Sequence, residues 1–467
     1  MQQNEKMNAQ TMNRTSSAGC SNLITNADGM MYHQVVLTLK LKVVNKTMDF
    51  NVRSAFFIFI FLFGFGSIHI CKSCNLPIDT ISRQGQVDSF NINYPRCTKI
   101  AGNLVITGAI TNLDSLYTIR QISGTLSILN TQLKNCLGLY NLDTIFGFRC
   151  KDNAVLKNLY GLESLTYAGA LYIENNVALE ELHSISSTDF NDFFLHECPE
   201  ILVILGFNTP ILLSNIVIEN NDGIITIDAF HHVEEITGDY KIIFCSNLET
   251  LMTGTKLKIV NSSLQFLALT KLEVFPPFAN LIRVNNYLSL VSLTSLKHIN
   301  SFNNLERLED LRIYNAKSLE NLPSFPKLTL ISKSLDLGTN NKIRYIDGFN
   351  ALDSVLGSLR IFRFDSLIDI IGFNNLKYVS SQFHVGTMRS LKRISGFGLL
   401  NKVEHSVYFG GLELITELNS FSKLDDIAGI TNMDYNKLNY LGLSGNEMLS
   451  YCHYLPICRK TEAGLLS

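Results

Sequence analysis

The chain has 467 residues, 46% of them hydrophobic and 17% charged, with 39 Lys and Arg against 41 Asp and Glu. So low a charge fraction excludes a disordered polyampholyte, and the near-cancelling charges leave no broad basic field for nucleic acid or an anionic membrane. Ten cysteines are too few for a disulfide-built mini-fold but enough for clamps at defined places.

Residues 1–47 are polar, Met-rich and aperiodic, and read as a disordered extension. Behind Arg53 lies an uncharged apolar run of 14 residues, Ala55–Ile68, AFFIFIFLFGFGSI. A helix needs about 20 such residues to cross a bilayer, so residues 48–70 read as a signal peptide. A chain started at Met48 would place a basic residue, the apolar run and a small-x-small cleavage pattern at Gly64 and Gly66 in the usual order. The competing reading is an uncleaved signal anchor. Lys40, Lys42, Lys46 and Arg53 precede the run and only Lys72 and Arg83 follow it closely, which puts the tail inside, as in a type II membrane protein. Both readings export the chain from about residue 70, and the C-terminal RKTEAGLLS lacks the apolar tail of a GPI signal. The expected location is extracellular, secreted or tethered to the cell surface.

Short alternating segments follow: Gly102-Asn-Leu-Val-Ile106, Gly124-Thr-Leu-Ser-Ile128, Ala170-Leu-Tyr-Ile173, Ile216-Val-Ile218 and Tyr240-Lys-Ile-Ile243. Further on the spacing becomes regular. Phe278, Phe302, Phe325, Phe349, Phe373, Phe397 and Phe421 are 24, 23, 24, 24, 24 and 24 residues apart. Each interval carries one alternating stretch, such as Leu311-Arg-Ile313, Leu335-Asp-Leu337, Leu359-Arg-Ile361, Phe383-His-Val385 and Val407-Tyr-Phe409. Alternation over so few residues means a strand with one buried face. One strand per repeat of 20–30 residues means stacked coils, because a single coil cannot bury its own apolar face. The fold class expected is therefore mainly β, a right-handed parallel β-solenoid (β-helix, leucine-rich-repeat-like) with coils of about 22–25 residues and disulfide caps. Asn130, Asn175, Asn220, Asn315, Asn340 and Asn446 fall just past the strands, where an inward Asn can bond the backbone of its corner.

Cys74-Asn-Leu-Pro followed by Cys97-Thr-Lys-Ile-Ala-Gly-Asn-Leu-Val-Ile106 resembles the opening of receptor L domains, the ligand-binding lobes of insulin and EGF receptors. Leu137-Gly-Leu-Tyr-Asn-Leu142, Tyr160-Gly-Leu-Glu-Ser-Leu165 and Gly169-Ala-Leu-Tyr-Ile-Glu-Asn-Asn176 are similar to later coils of that family. The resemblance is good over residues 74–200 and looser over 210–450. With no Cys-rich module, second membrane segment or kinase, the chain looks like the secreted L-domain-only proteins known from nematodes. The expected organisation is a first L-domain lobe at 71–200, a continuing L-domain-like second lobe at 201–458, with Pro199 and Pro210 near the junction, and a tail at 459–467. The resemblance implies a Cys74–Cys97 bridge around a first short helix, closing the open end of the first coil. It also implies a protein or peptide ligand, with a role as decoy, carrier or co-receptor for insulin-like or EGF-like signals. The alternative is a structural or adhesive cell-surface or matrix glycoprotein.

Cys452 and Cys458, around Pro456, are expected to close the C-terminal cap, and Cys136 with Cys150 is a further candidate pair. Cys71, Cys198 and Cys245 remain, so at least one thiol is free, buried or intermolecular. Asn261-Ser-Ser is the one glycosylation sequon in the exported part. There is no G-x-S-x-G, H-E-x-x-H, P-loop or G-x-G-x-x-G after a strand, and His231-His232 with Glu234 and Glu235 lacks a converging further ligand. No catalytic residue, metal or cofactor is expected. The 24-residue period stacks Ser289, Arg312, Asp336, Arg360, His384, Tyr408 and Asn432 in one outward column, and Tyr314, Gly338, Phe362, Gly386, Gly410 and Asp434 in a second. No carboxylate pair converges there, as a carbohydrate-cleaving β-helix would need. Two readings remain: a polar face whose Arg-Asp-Arg alternation neutralises itself, or a ligand face made by Arg312, Tyr314, Asp336, Arg360, Phe362, His384 and Tyr408.

Overall fold

A computed structural model describes residues 73–74, 79–415, 419–424 and 426–427. The expected signal segment, Cys71, the Cys452–Cys458 pair, Asn432, Asp434 and Asn446 lie outside these residues. The described chain is mainly β, a parallel β-solenoid of about 14 turns. Each coil lays a short strand on the one before it in parallel register. Leu311, Leu335, Leu359, Phe383 and Val407 align one above another, as do Ile313, Leu337, Ile361, Val385 and Phe409. All ten are buried. The same ladder runs back from Asn215–Glu219 through Asp189–His196, Tyr167–Glu174 and Thr144–Lys151 to Gln121–Thr131. Two smaller three-stranded parallel sheets lie elsewhere in the coils, one made by Val203–Gly206, Thr226–Ala229 and Thr250–Met252.

The first coil is closed by the Cys74–Cys97 disulfide, with Cα atoms 5.8 Å apart, and by the short helices Gln84–Asp88 and Phe90–Asn93. Val87 and Phe90 plug the end of the core. Gln86 turns its Oε1 back to accept from the backbone N–H groups of Ser82 and Arg83 at 2.9 and 3.0 Å, satisfying donors that a helix start leaves bare. The pair brackets the first helices, as the family resemblance implies.

The periodic phenylalanines form a buried stack. Successive rings from Phe278 to Phe421 sit 4.8–6.0 Å apart and within 23° of parallel. Phe207 and Phe230, 5.8 Å apart, occupy the same place three and two coils before Phe278. Between the two runs stands Gly254, and the space goes to Phe278 and to Tyr240, whose buried hydroxyl pairs with Thr253 Oγ1 at 2.5 Å.

Twelve successive coils turn out of the main strand through a left-handed residue. Asn130, Asp152, Asn175, Glu197, Asn220, Phe244, Ala268, Ser292, Asn315, Thr339, Arg363 and Thr387 have φ between 49° and 59°. This conformation costs an ordinary residue about 1–2 kcal/mol. Phe244, Ala268 and Arg363 are held in it by the ladder, since their N–H groups still donate to the next coil at 2.9–3.2 Å. The corner therefore takes Asn often but does not require it.

The inward corner residue is the next one along, which corrects the expectation for most of the Asn series. Asn130, Asn175, Asn220 and Asn315 make the left-handed turn, whereas Asn153, Asn176, Asn221 and Asn340 point into the core. Asn176 donates to Cys150 O at 2.9 Å and Glu174 O at 3.1 Å, and accepts from Asn153 N at 3.1 Å. Asn221 repeats the pattern with Leu195 O, Glu219 O and Cys198 N. Cys198 and Cys245 hold the equivalent place in their coils, each Sγ lying 3.5–3.6 Å from the carbonyl two residues back.

Candidate functional site

The strands Arg307–Tyr314, Leu335–Gly338, Leu359–Phe362, Gln382–Gly386 and Ser406–Gly410 carry the outward columns. Their register stacks Ser289, Arg312, Asp336, Arg360, His384 and Tyr408 in one line, and Tyr314, Gly338, Phe362, Gly386 and Gly410 in the other. Side chains on one face of neighbouring strands lie close enough to interact, so the two lines form one surface.

Its charges are organised differently from a ladder. Asp336 is only 3% exposed and takes Arg360 in a two-point grip, Nε to Oδ1 at 2.5 Å and Nη2 to Oδ2 at 2.6 Å. Arg312 turns to Asp310 of its own strand, at 2.8 Å, and its guanidinium lies 5.7 Å from the Tyr287 ring. The expected self-neutralising Arg-Asp-Arg alternation thus resolves into two separate pairs, each with a buried carboxylate beneath an exposed guanidinium. Pairing is set by which carboxylate is nearest and least hydrated, and Asp310 was not legible as a partner because the period alone says nothing about neighbours on the same strand. A buried carboxylate fixes the arginine's planar fork, leaving its remaining N–H groups directed outward.

The aromatic residues lie against the sheet because the second column is rich in glycine. A Cβ at Gly338 would come within 2.9 Å of the Phe362 ring and 3.1 Å of Tyr314, and one at Gly410 would collide with the Tyr408 phenol. Tyr314 and Phe362, from alternate coils, close over Gly338 with ring centres 5.7 Å apart. His384 sits 6.5 Å from Phe362 and 4.4 Å from Tyr408, completing a continuous row. Burial, together with the Asp336 carboxylate, raises the Tyr314 phenol above its ordinary range. Burial, and then the Arg360 charge, push the His384 imidazole down, so it is neutral at pH 7. The seven expected face residues are thus brought together, with Tyr287 and Asp310 added by the structure.

The same outward column continues through the earlier coils as Ser127, Arg149, Tyr172, Phe194 and Val217. Tyr172 and Phe194 stack at 4.4 Å and 6°. Extending the outward spacing upstream would have found them. Asn261 sits at a corner with its side-chain amide engaged, donating to Glu235 at 2.7 Å and accepting from Arg283 and Asn285 at 3.1 Å each. His231 pairs with Asp228 at 2.5 Å, and among the described residues no three His, Cys, Asp or Glu side chains are grouped to hold a metal.

Cys136 and Cys150 are separate buried thiols in the structure, not the pair expected. Cys150 stands in the inward strand column between Ile128 and Ile173, and Cys136 occurs at the 23-residue interval of Leu113, Leu159 and Leu182, so both act as small core residues. Burial pushes the thiols of Cys136 and Cys245 up to about 12 and that of Cys198 up to about 11, and raises Cys150 as well. At pH 8 all four are protonated and shielded, and the thiolate is the reactive form. Alkylation of the native chain followed by peptide mapping is expected to leave these four unmodified until denaturant is added. Modification of any of them at the rate of an unfolded thiol would contradict the packing.

No helix among the described residues is long and apolar enough to cross a membrane. Residues 96–221 match the family model described as Receptor L domain, a ligand-binding, receptor-type and non-enzymatic family to which this part of the chain is similar. No curated protein and no solved structure matches the chain.

Proposed function

Starting from the receptor L domain at residues 96–221, we propose that the chain is a non-catalytic extracellular binding protein that recognises a peptide or protein ligand. The observation that carries this reading is the face of Arg312, Tyr314, Asp336, Arg360, Phe362, His384 and Tyr408. Its two guanidinium groups are held by buried carboxylates and its rings are packed against backbone, so little side-chain freedom remains to be lost on association. Arginine and tyrosine in such settings supply much of the affinity of protein interfaces. Because each guanidinium is already paired, the face is close to neutral and suits a mixed polar and apolar surface better than a polyanion. Insulin-like and EGF-like peptides are the first ligands to try, as decoy, carrier or co-receptor cargo, and the chain would be secreted or tethered at the cell surface.

The test is binding of the exported chain to a panel of insulin-like and EGF-like peptides by surface plasmon resonance. Combined Arg360→Ala and Phe362→Ala is expected to weaken the interaction at least about 30-fold, as for loss of an interface anchor. Unchanged affinity in a variant that keeps its unfolding temperature would remove this face from the reading.

A further inference from the structure

A second surface lies at the free edge of the small sheet that starts at Val203–Gly206. This strand pairs on one side with Thr226–Ala229. On the other side the preceding coil carries a 3-10 turn, His183–Ile185, in place of a strand. Leu202 O accepts from Ile225 N at 2.8 Å and Thr226 N at 3.3 Å. Successive residues of a strand direct their backbone groups to opposite sides. Leu202 and Ile204 therefore face the partner strand, and Val203 and Leu205 present N–H and C=O to the open side. Among the described residues no backbone hydrogen bond from the preceding coil reaches either of them, and the open stretch ends where Phe207 N donates to Ser186 O of that coil at 2.8 Å.

The gap is a cleft of about 230 Å³ lined by Glu180, Glu181, Leu182, His183, Leu202, Val203 and Leu205. Leu202, Val203 and Leu205 are 52%, 41% and 51% exposed. An open strand edge with apolar side chains is a template for another strand, and folded proteins usually block such edges with Pro or Lys. The far side of this same sheet is treated that way, for Thr250 makes one bridge to Val274 and Pro276-Pro277 follow at once. At Val203 there is no such block, and the cleft is lined by two carboxylates, Glu180 with Lys157 on its outer side at 2.8 Å and Glu181 bonded by the Tyr160 phenol, and by no Lys or Arg of its own.

We propose that the Val203–Gly206 edge binds an extended peptide segment of a partner protein by parallel or antiparallel strand addition, apolar at alternate positions and basic where it meets Glu180 and Glu181. Backbone pairing supplies the affinity and the Leu202–Leu205 wall and the two carboxylates supply the choice of sequence. The site is independent of the Arg–aromatic face.

Selection of a random seven-residue peptide library on the full exported chain tests it, with the enriched peptides then synthesised as probes. Alternating apolar and basic sequences should emerge, and their binding should slow amide hydrogen exchange at Val203 and Leu205 at least about tenfold. Leu205→Lys, a change at an exposed side chain, should cut binding at least about tenfold with the unfolding temperature unchanged, while the Arg360→Ala, Phe362→Ala chain should bind them normally. Failure to enrich any peptide, a motif without alternation, unchanged exchange at both amides, or binding lost only in the Arg360→Ala, Phe362→Ala chain would each overturn the proposal. The last of these outcomes would support the Arg–aromatic face instead.

Discussion

Replacing Phe373 by Ala is expected to lower the stability of the solenoid by about 3–5 kcal/mol, the range for deleting a buried aromatic ring. Phe373 is fully buried and stacks on Phe349 at 5.1 Å and on Phe397 at 4.8 Å, so one deletion opens a void facing two rings from two neighbouring coils. In a linear array each coil is stabilised chiefly by its neighbours. The loss should therefore be local, weakening the coils from Phe373 towards the C-terminal side before the Phe278–Phe349 stack. Denaturant unfolding followed by hydrogen exchange would show an early, separate transition for residues 373–415. Phe373→Leu should recover much of the loss by refilling the cavity. A change below about 1 kcal/mol would mean that the stack is not what holds these coils together.

The second large effect is a contrast between neighbours. Asn176→Ala should cost about 2–5 kcal/mol, because it strips partners from Cys150 O and Asn153 N, at about 1–3 kcal/mol for each buried polar group left unmet, while Glu174 O keeps Asp152 N at 3.2 Å. Asn175→Ala, one residue earlier, should cost only about 1 kcal/mol, the strain of a left-handed alanine. Ala268 already turns the equivalent corner at φ 56°, which shows that the position accepts it. Thermal and denaturant unfolding of the two variants side by side is the measurement. Equal losses would refute the assignment of one Asn to the surface and the other to the core.

The two neighbours mark how far the primary structure could be read. The run of Asn after each strand was visible, but its inward member was placed one residue too early at Asn130, Asn175, Asn220 and Asn315. A left-handed residue changes the direction of the chain, so the inward and outward alternation of the strand cannot be continued by counting across it. Within the strands, where alternation is fixed by the pleat, counting worked. The outward column from Ser289 to Tyr408 is in the register that the 24-residue period implies.

The cysteines show a different limit. Counting them in a chain expected to be exported suggests pairs, and Cys74–Cys97 is one. Cys198 and Cys245, however, stand where Asn153, Asn176 and Asn221 stand in other coils, and they reach toward the same kind of backbone carbonyl. A thiol there is a small core residue with a weak donor, and nothing in its spacing distinguishes it from a half-cystine.

From the sequence alone came the solenoid, its coil length, the opening disulfide and the residues that share an outward column. The disulfide came from the resemblance to receptor L domains, and the others follow from one cause: when each coil adds nearly the same number of residues, arithmetic along the chain becomes distance across the sheet. Tertiary structure alone decided which residues of a column touch. Arg360 takes Asp336 while Arg312 turns to Asp310, Tyr314 reaches across Gly338 to Phe362, and Val203 is left with an open edge because the coil before it turns instead of extending. Those choices depend on burial, side-chain reach and the local path of a neighbouring coil, and a repeat period carries none of the three.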